Sequence, residues 1–390
     1  MRFLLDPEQR EFGRTLSALL SASDTPSVVR AWGAGDFTAG RALWARLGEA
    51  GVFSLAVPEE YDGVGPLPVE LAVAFVELGR AAVPGPAAET VGASALLAAL
   101  GDPALAKRWL PGIASGETMA SLALPGGGPY ALDADAASVV FFSPTPPLPE
   151  KLPPASKMSS NAGRADESRP AKSARPAFED APGGRKAPQD FGKGRGGEEI
   201  RLAPDHGPVH ASADPARRLA RPAEGGELLA EGEQAARAIQ SAQDWTTFAT
   251  AAQALGVGEA LLAQTVAYVK QRTQFGTAIG TFQAVKHQLA DAHLRLEFAK
   301  PLLFGAALTM TRADIAAAKV TATEAAYAAS RTALQLHGAV GYTQELDLSL
   351  WIRKAQALRT AWGTPAECRA RVLEDHAHST DHSDHDAYAT

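Results

Sequence analysis

The chain has 390 residues, 46% of them apolar, enough for two or three domains and a sizeable buried core. A formal charge of −7 offers no general basic surface to a nucleic acid, and the longest apolar runs, such as Gly92 to Leu100, fall far short of the roughly 20 residues needed to cross a bilayer. The single cysteine, Cys368, cannot close an intrachain disulfide, so redox chemistry has to come from a bound cofactor.

The N-terminus, MRFLLDPEQREFG, lacks the basic region, apolar core and cleavage site of a secretory signal, and the expected address is cytoplasmic. From Asp6 to about Leu110 apolar residues recur at spacings of three and four, predicting several short helices. Their breaks fall at Gly33 to Gly35, at the turn-forming segment PEEYDGVG from Pro58 to Gly65, and at Pro84 to Pro86. Val69 to Val83 is apolar on nearly all sides and predicts a buried helix. At Thr118 the period changes. MASLALP and ASVVFF, Ala137 to Phe142, have strand character and flank the cluster Gly126 to Gly128.

Ser143 to Glu199 is rich in Pro, Gly, Ser and charged residues, which predicts a disordered or irregular stretch. Weak strand signals return at Ile200 to Leu202 and Glu227 to Ala230. Helical periodicity resumes at Asp244, with long helices predicted at about 244–270, 281–311 and 313–337. The tail HAHSTDHSDHDAYAT reads as solvated and frayed, and no metal ligands are assigned.

Two segments carry chemistry. In YVKQRTQFGTAIGTFQAVKHQLAD, Tyr268 to Asp291, an Arg offers paired donors to a phosphate, Gly276 permits a sharp turn, and Gln283 supplies an amide donor and acceptor. In LQLHGAVGYTQELDLSLWIRKAQ, Leu334 to Gln356, small residues allow close approach of a backbone to a ligand.

The first segment resembles the Arg-x-x-Phe-Gly…Gln helix-turn-helix of the acyl-CoA dehydrogenase family, and the second its Gln-x-x-Gly-Gly-x-Gly-Tyr/Phe…Arg-Asp-Ala segment, with Ala339 in place of a frequent second glycine. PEEYDGVG is similar to the family's Pro-Glu-x-Tyr-Gly-Gly-x-Gly turn. The resemblance implies a mainly α fold: an N-terminal helical domain at 1–117, a reduced β-rich middle at 118–240, a C-terminal four-helix bundle at 241–375 and a polar tail at 376–390. It implies FAD as cofactor, contacted by Arg272, Gln274, Phe275, Gln283, Gln335, Gly338, Gly341 and Thr364, several of them across a subunit interface. It further implies an acyl-CoA thioester substrate, a flavoprotein as electron acceptor, and a homo- or hetero-oligomer.

The same alignment shows departures. The family's base is a Glu in a Tyr-Glu-Gly-Thr segment, matched here by Ala361, Trp362, Gly363 and Thr364. An indole cannot take a proton. The alternative base position of some members falls near Thr246, which is not acidic; Asp244 reads as a helix cap and Glu367 as a solvated residue, so no catalytic residue is assigned. The family's Thr-Glu-Pro strand and downstream Trp have no counterpart after SLALP. Two functions follow from the resemblance: an FAD-dependent acyl-CoA dehydrogenase, or a non-catalytic subunit completing a partner's flavin site.

Overall fold

The computed structural model describes residues 5–144 and 198–386, the side chains of 376–386 excepted. Most of the irregular stretch expected between Ser143 and Glu199 lies outside the described residues, as do the last residues of the tail. The first helix, α1 (Pro7–Ser21), starts on a reciprocal cap: the Asp6 carboxylate accepts from the Gln9 backbone N–H at 2.8 Å and the Gln9 side chain accepts from the Asp6 N–H at 3.0 Å. It is followed by α2 (Thr25–Gly33), α3 (Thr38–Glu49), α4 (Pro68–Arg80), α5 (Ala87–Leu100) and α6 (Pro103–Ala114). The breaks fall where the turn-forming clusters placed them, and α4 is buried from Leu71 to Gly79.

The middle of the chain forms two small sheets. In the first, β1 (Ala120–Ala123) pairs parallel with β3 (Val139–Phe142), which pairs antiparallel with β4 (Glu199–Leu202), and β4 with β7 (Glu227–Glu231). In the second, β6 (Arg218–Ala220) lies between β2 (Ala131–Leu132) and β5 (His210–Ala211). The strands expected near 200–202 and 227–230 are β4 and β7. The three short strands of the second sheet have no sequence signal because two or three residues cannot establish an alternation.

The bundle consists of α7 (Gly232–Gln271), α8 (Gln283–Thr309), α9 (Arg312–His337), α10 (Leu348–Thr360) and α11 (Pro365–Asp386), with a hairpin, β8 (Thr273–Gln274) and β9 (Thr277–Ala278), between α7 and α8. Helix α7 has 40 residues and begins 12 residues before the expected start at Asp244, because Glu233 to Gln243 is a run of good helix formers. Asp244 is therefore in the helix interior and caps nothing. The tail is also more regular than expected, since α11 continues to Asp386. Among the described residues no helix is long and apolar enough to cross a membrane.

Two cores position the site. The larger joins the N-terminal helices to the bundle through Trp32, Trp44, Phe75, Phe248 and Leu296, and α7 packs on both α4 and α9. The second lies beneath the first sheet and joins Leu96, Phe141, Ile200 and Ile239 to Trp362.

Candidate functional site

Helices α7 and α9 end side by side. Near their C-termini the rings of Tyr268 and His337 stack with centroids 4.0 Å apart, and the buried His337 Nδ1 donates to the Ala333 carbonyl at 2.8 Å. Burial holds the His337 imidazole below its ordinary pKa, so the stacked ring is neutral near pH 7. This contact brings the two sequence segments to one pole of the bundle, where α8 also begins.

At that pole Arg272 follows α7 directly, Gln274 is on the hairpin, Gln283 opens α8, and Gln335 is in the last turn of α9; all four are exposed and take no side-chain partner among the described residues. Phe275 is 93% exposed at φ 52°, and Gly276 follows it at φ 77°, the left-handed turn that required a glycine. Gly338 has φ 61°, whereas Ala339 has no positive φ, so an alanine there is unstrained. Gly341 is buried against Leu334 and His337.

Thr364 is not at this pole. Lys319 donates from Nζ to the carbonyls of Leu358 at 3.0 Å and Gly363 at 3.2 Å, which places Thr364 beside Lys319, and Lys319 lies 18 residues, about 27 Å of helix, before His337 on α9. The Thr364 hydroxyl donates to Glu367 Oε2 at 2.9 Å and its N–H donates to the same oxygen at 2.8 Å, so Glu367 is engaged in capping α11.

Trp362 marks a second place. A cavity of about 430 Å³ lies between the sheets and the bundle, lined by Leu122 on β1, Tyr130, Arg217, Tyr327 on α9, and Trp362. Trp362 is 4% exposed and has φ 55°, a conformation uncommon for a bulky residue. The segment is held from both sides: Thr247 Oγ1 donates to the Trp362 carbonyl at 3.0 Å, and Lys319 donates to the carbonyl of Gly363. Burial lowers the Lys319 pKa to about 8. The indole lies against Gly127, where an added Cβ would be 2.6 Å from the ring.

The same cavity contains a carboxylate. Glu89, in the first turn of α5 and 3% exposed, accepts a hydrogen bond from Trp362 Nε1 at 2.9 Å. The guanidinium of Arg217, with no side-chain partner among the described residues, lines the cavity as well, whereas that of Arg359 is engaged by Glu324 at 2.6 Å. Neither Glu89 nor Arg217 lies in a family-like motif. The one signal for Glu89 is that it is the only charged side chain in AAETVGASALLAAL, a helix otherwise fit for the core.

The other candidate base positions place no carboxylate on the cavity wall. Thr246 is fully buried, and its hydroxyl donates to the Ala242 carbonyl at 2.6 Å. Asp244 accepts from Gln240 at 2.9 Å, and desolvation raises its pKa, but it does not line the cavity.

Residues 6–117 match the family model of the acyl-CoA dehydrogenase N-terminal domain, and residues 236–375 match that of the acyl-CoA dehydrogenase C-terminal domain. The chain belongs to the acyl-CoA dehydrogenase family. It is 29% identical over 369 residues to acyl-CoA dehydrogenase IpdE2 of Mycobacterium tuberculosis, covering 94% of this chain and 96% of that one. Its fold is similar to that of the ChsE4-ChsE5 complex from the same organism, with TM-score 0.72, 21% identity, and coverage of 97% of this chain and 99% of that chain. It is similar as well to an acyl-CoA dehydrogenase complexed with FAD from Bacillus anthracis, with TM-score 0.74, 16% identity, and coverage of 97% and 68%.

Proposed function

We propose that this family member is an FAD-dependent acyl-CoA dehydrogenase that works as an oligomer and takes a fatty-acyl or sterol side-chain thioester in its own cavity. The observation that carries this reading is the cavity between sheet and bundle, where a buried carboxylate and a guanidinium with no side-chain partner among the described residues meet an apolar wall. The exposed donors at the pole fit a flavin dinucleotide: Arg272 can pair with a phosphate, Gln274, Gln283 and Gln335 offer amide donors and acceptors, and the first turn of α8 has no side-chain cap. Thr364 would lie at the flavin of its own subunit, far from the pole.

When bound, the flavin supplies the two-electron acceptor for the hydrogen leaving the β-carbon. The chain's own residues do the rest. Trp362 and the β1 wall exclude water, and Arg217 places a positive charge where a thioester oxygen gains negative charge as its α-proton leaves. A flavoprotein would take the electrons onward.

The oligomer is supported by an apolar stripe on α8, where Leu294, Phe298 and Leu302 follow one another at four-residue spacing and are all exposed. The chain expressed alone should purify yellow as at least a dimer and bleach on addition of an acyl-CoA. A stable monomer holding flavin stoichiometrically would end the interface argument.

A second reading is favoured by the position of Trp362 and by the exposed donors of the pole: the chain would be a non-catalytic subunit whose pole completes the flavin site of a related subunit carrying the usual Glu. A colourless protein that turns yellow only with a partner would select it.

A further inference from the structure

The position that holds the family's base resembles an empty post here, since Trp362 has no proton-accepting atom, yet the indole N–H leads directly to a carboxylate. Glu89 Oε1 is 2.9 Å from Trp362 Nε1, on the wall of the same cavity, and arrives from α5 in the N-terminal domain. Burying a lone carboxylate in an apolar helix costs stability unless it is hydrogen-bonded and paired. Its one hydrogen-bond donor among the described residues is the indole, and no cation forms an ion pair with it there.

On the proposed reading that this cavity takes an acyl thioester, we propose that Glu89 is the catalytic base, relocated from the end of α10 to the first turn of α5, with Trp362 as its positioning residue. The step balances within the chain: the substrate's Cα–H bond breaks, its electron pair remains on the thioester as the enolate, and the proton forms an O–H bond on the Glu89 carboxylate. Trp362 Nε1–H fixes one carboxylate oxygen and leaves the other for the substrate.

A probe without a β-hydrogen isolates this step. The full-length chain with FAD added is incubated in D₂O with 3-thia-acyl-CoA thioesters bearing straight, branched and ring-containing groups, and deuterium uptake at the α-carbon is read by mass spectrometry alongside thioester binding by calorimetry. The wild-type chain should catalyse uptake, and Glu89→Gln should lower the rate by about 10²- to 10⁴-fold with binding kept within a few-fold. Glu89→Asp should give an intermediate rate, and Trp362→Phe, which keeps a ring and removes the N–H, a smaller loss. Uptake by Glu89→Gln at the wild-type rate would overturn the proposal alone. If Glu89→Gln does not fold, wild-type rates in Glu89→Asp would overturn it equally, because that carboxylate is one methylene short of its place. Absence of both binding and uptake in the wild-type chain would overturn the cavity's function as well.

Discussion

The two ends of helix α9 treat polar side chains in opposite ways. At its C-terminal end, Gln335 joins Arg272, Gln274 and Gln283 on the surface, none with a side-chain partner among the described residues. Nearer its start, Lys319 is fully buried and spends its N–H groups on two carbonyls, in a region where Trp362 is bonded to Glu89 and Asp214 to Lys354. An exposed donor is satisfied by water and is free for a ligand or a second subunit, whereas a buried one must find its partner within the chain. The donors of the pole are left to water, whereas most of those around the cavity are held by other groups of the chain.

The sharpest way to break this contrast is at the buried ion pair. Lys354 Nζ lies 3.1 Å from Asp214 Oδ2 with both side chains buried, tying the segment before β6 to α10 beside the cavity. Lys354→Met leaves a carboxylate buried without its cation and should lower stability by about 3–5 kcal/mol, read by chemical denaturation. A loss below about 1 kcal/mol would show that the cavity side does not depend on its internal pairs.

The pole should respond in the other sense. On the proposed reading that Arg272 pairs with a flavin phosphate, Arg272→Ala would remove charge-assisted hydrogen bonds worth about 1.5–3 kcal/mol, and flavin retention should fall roughly 10- to 100-fold. Its stability without flavin should stay within about 0.5 kcal/mol of wild type. A large loss of stability with unchanged flavin content would reverse the assignment of the pole.

The smallest effect concerns Asp133, fully buried directly after β2, with Oδ1 accepting from the Arg218 N–H of β6 at 3.0 Å. Desolvation raises its pKa from 3.8 to about 7. The native protein thus holds a proton that the unfolded chain has released, and the stability this group contributes is full below the unfolded value and lost as pH rises towards 7. Between pH 5 and 6 wild-type stability should fall by about 1.4 kcal/mol per pH unit relative to Asp133→Asn. Parallel pH profiles for the two proteins would refute that burial.

The family and the mainly helical architecture were legible in the sequence because both rest on local signals: a continuous apolar run in α4, helical spacing through α8 and α9, glycines at required turns such as Gly276, and short motifs with fixed spacing. The residues at the pole were legible for the same reason, each lying within a few positions of a motif glycine. Asp244 is no cap because the run of helix formers from Glu233 to Gln243 starts α7 at Gly232, 12 residues before it.

What the sequence by itself determined is where helices run and which polar residues gather at the ends of α7, α8 and α9. Only the tertiary structure decided that Glu89 meets Trp362, 273 positions away in the chain, and that Thr364 is far from the other motif residues. Motifs record contacts that recur along neighbouring positions, whereas a cavity is assembled by helices and sheets whose packing brings distant positions together, and no local pattern encodes that meeting.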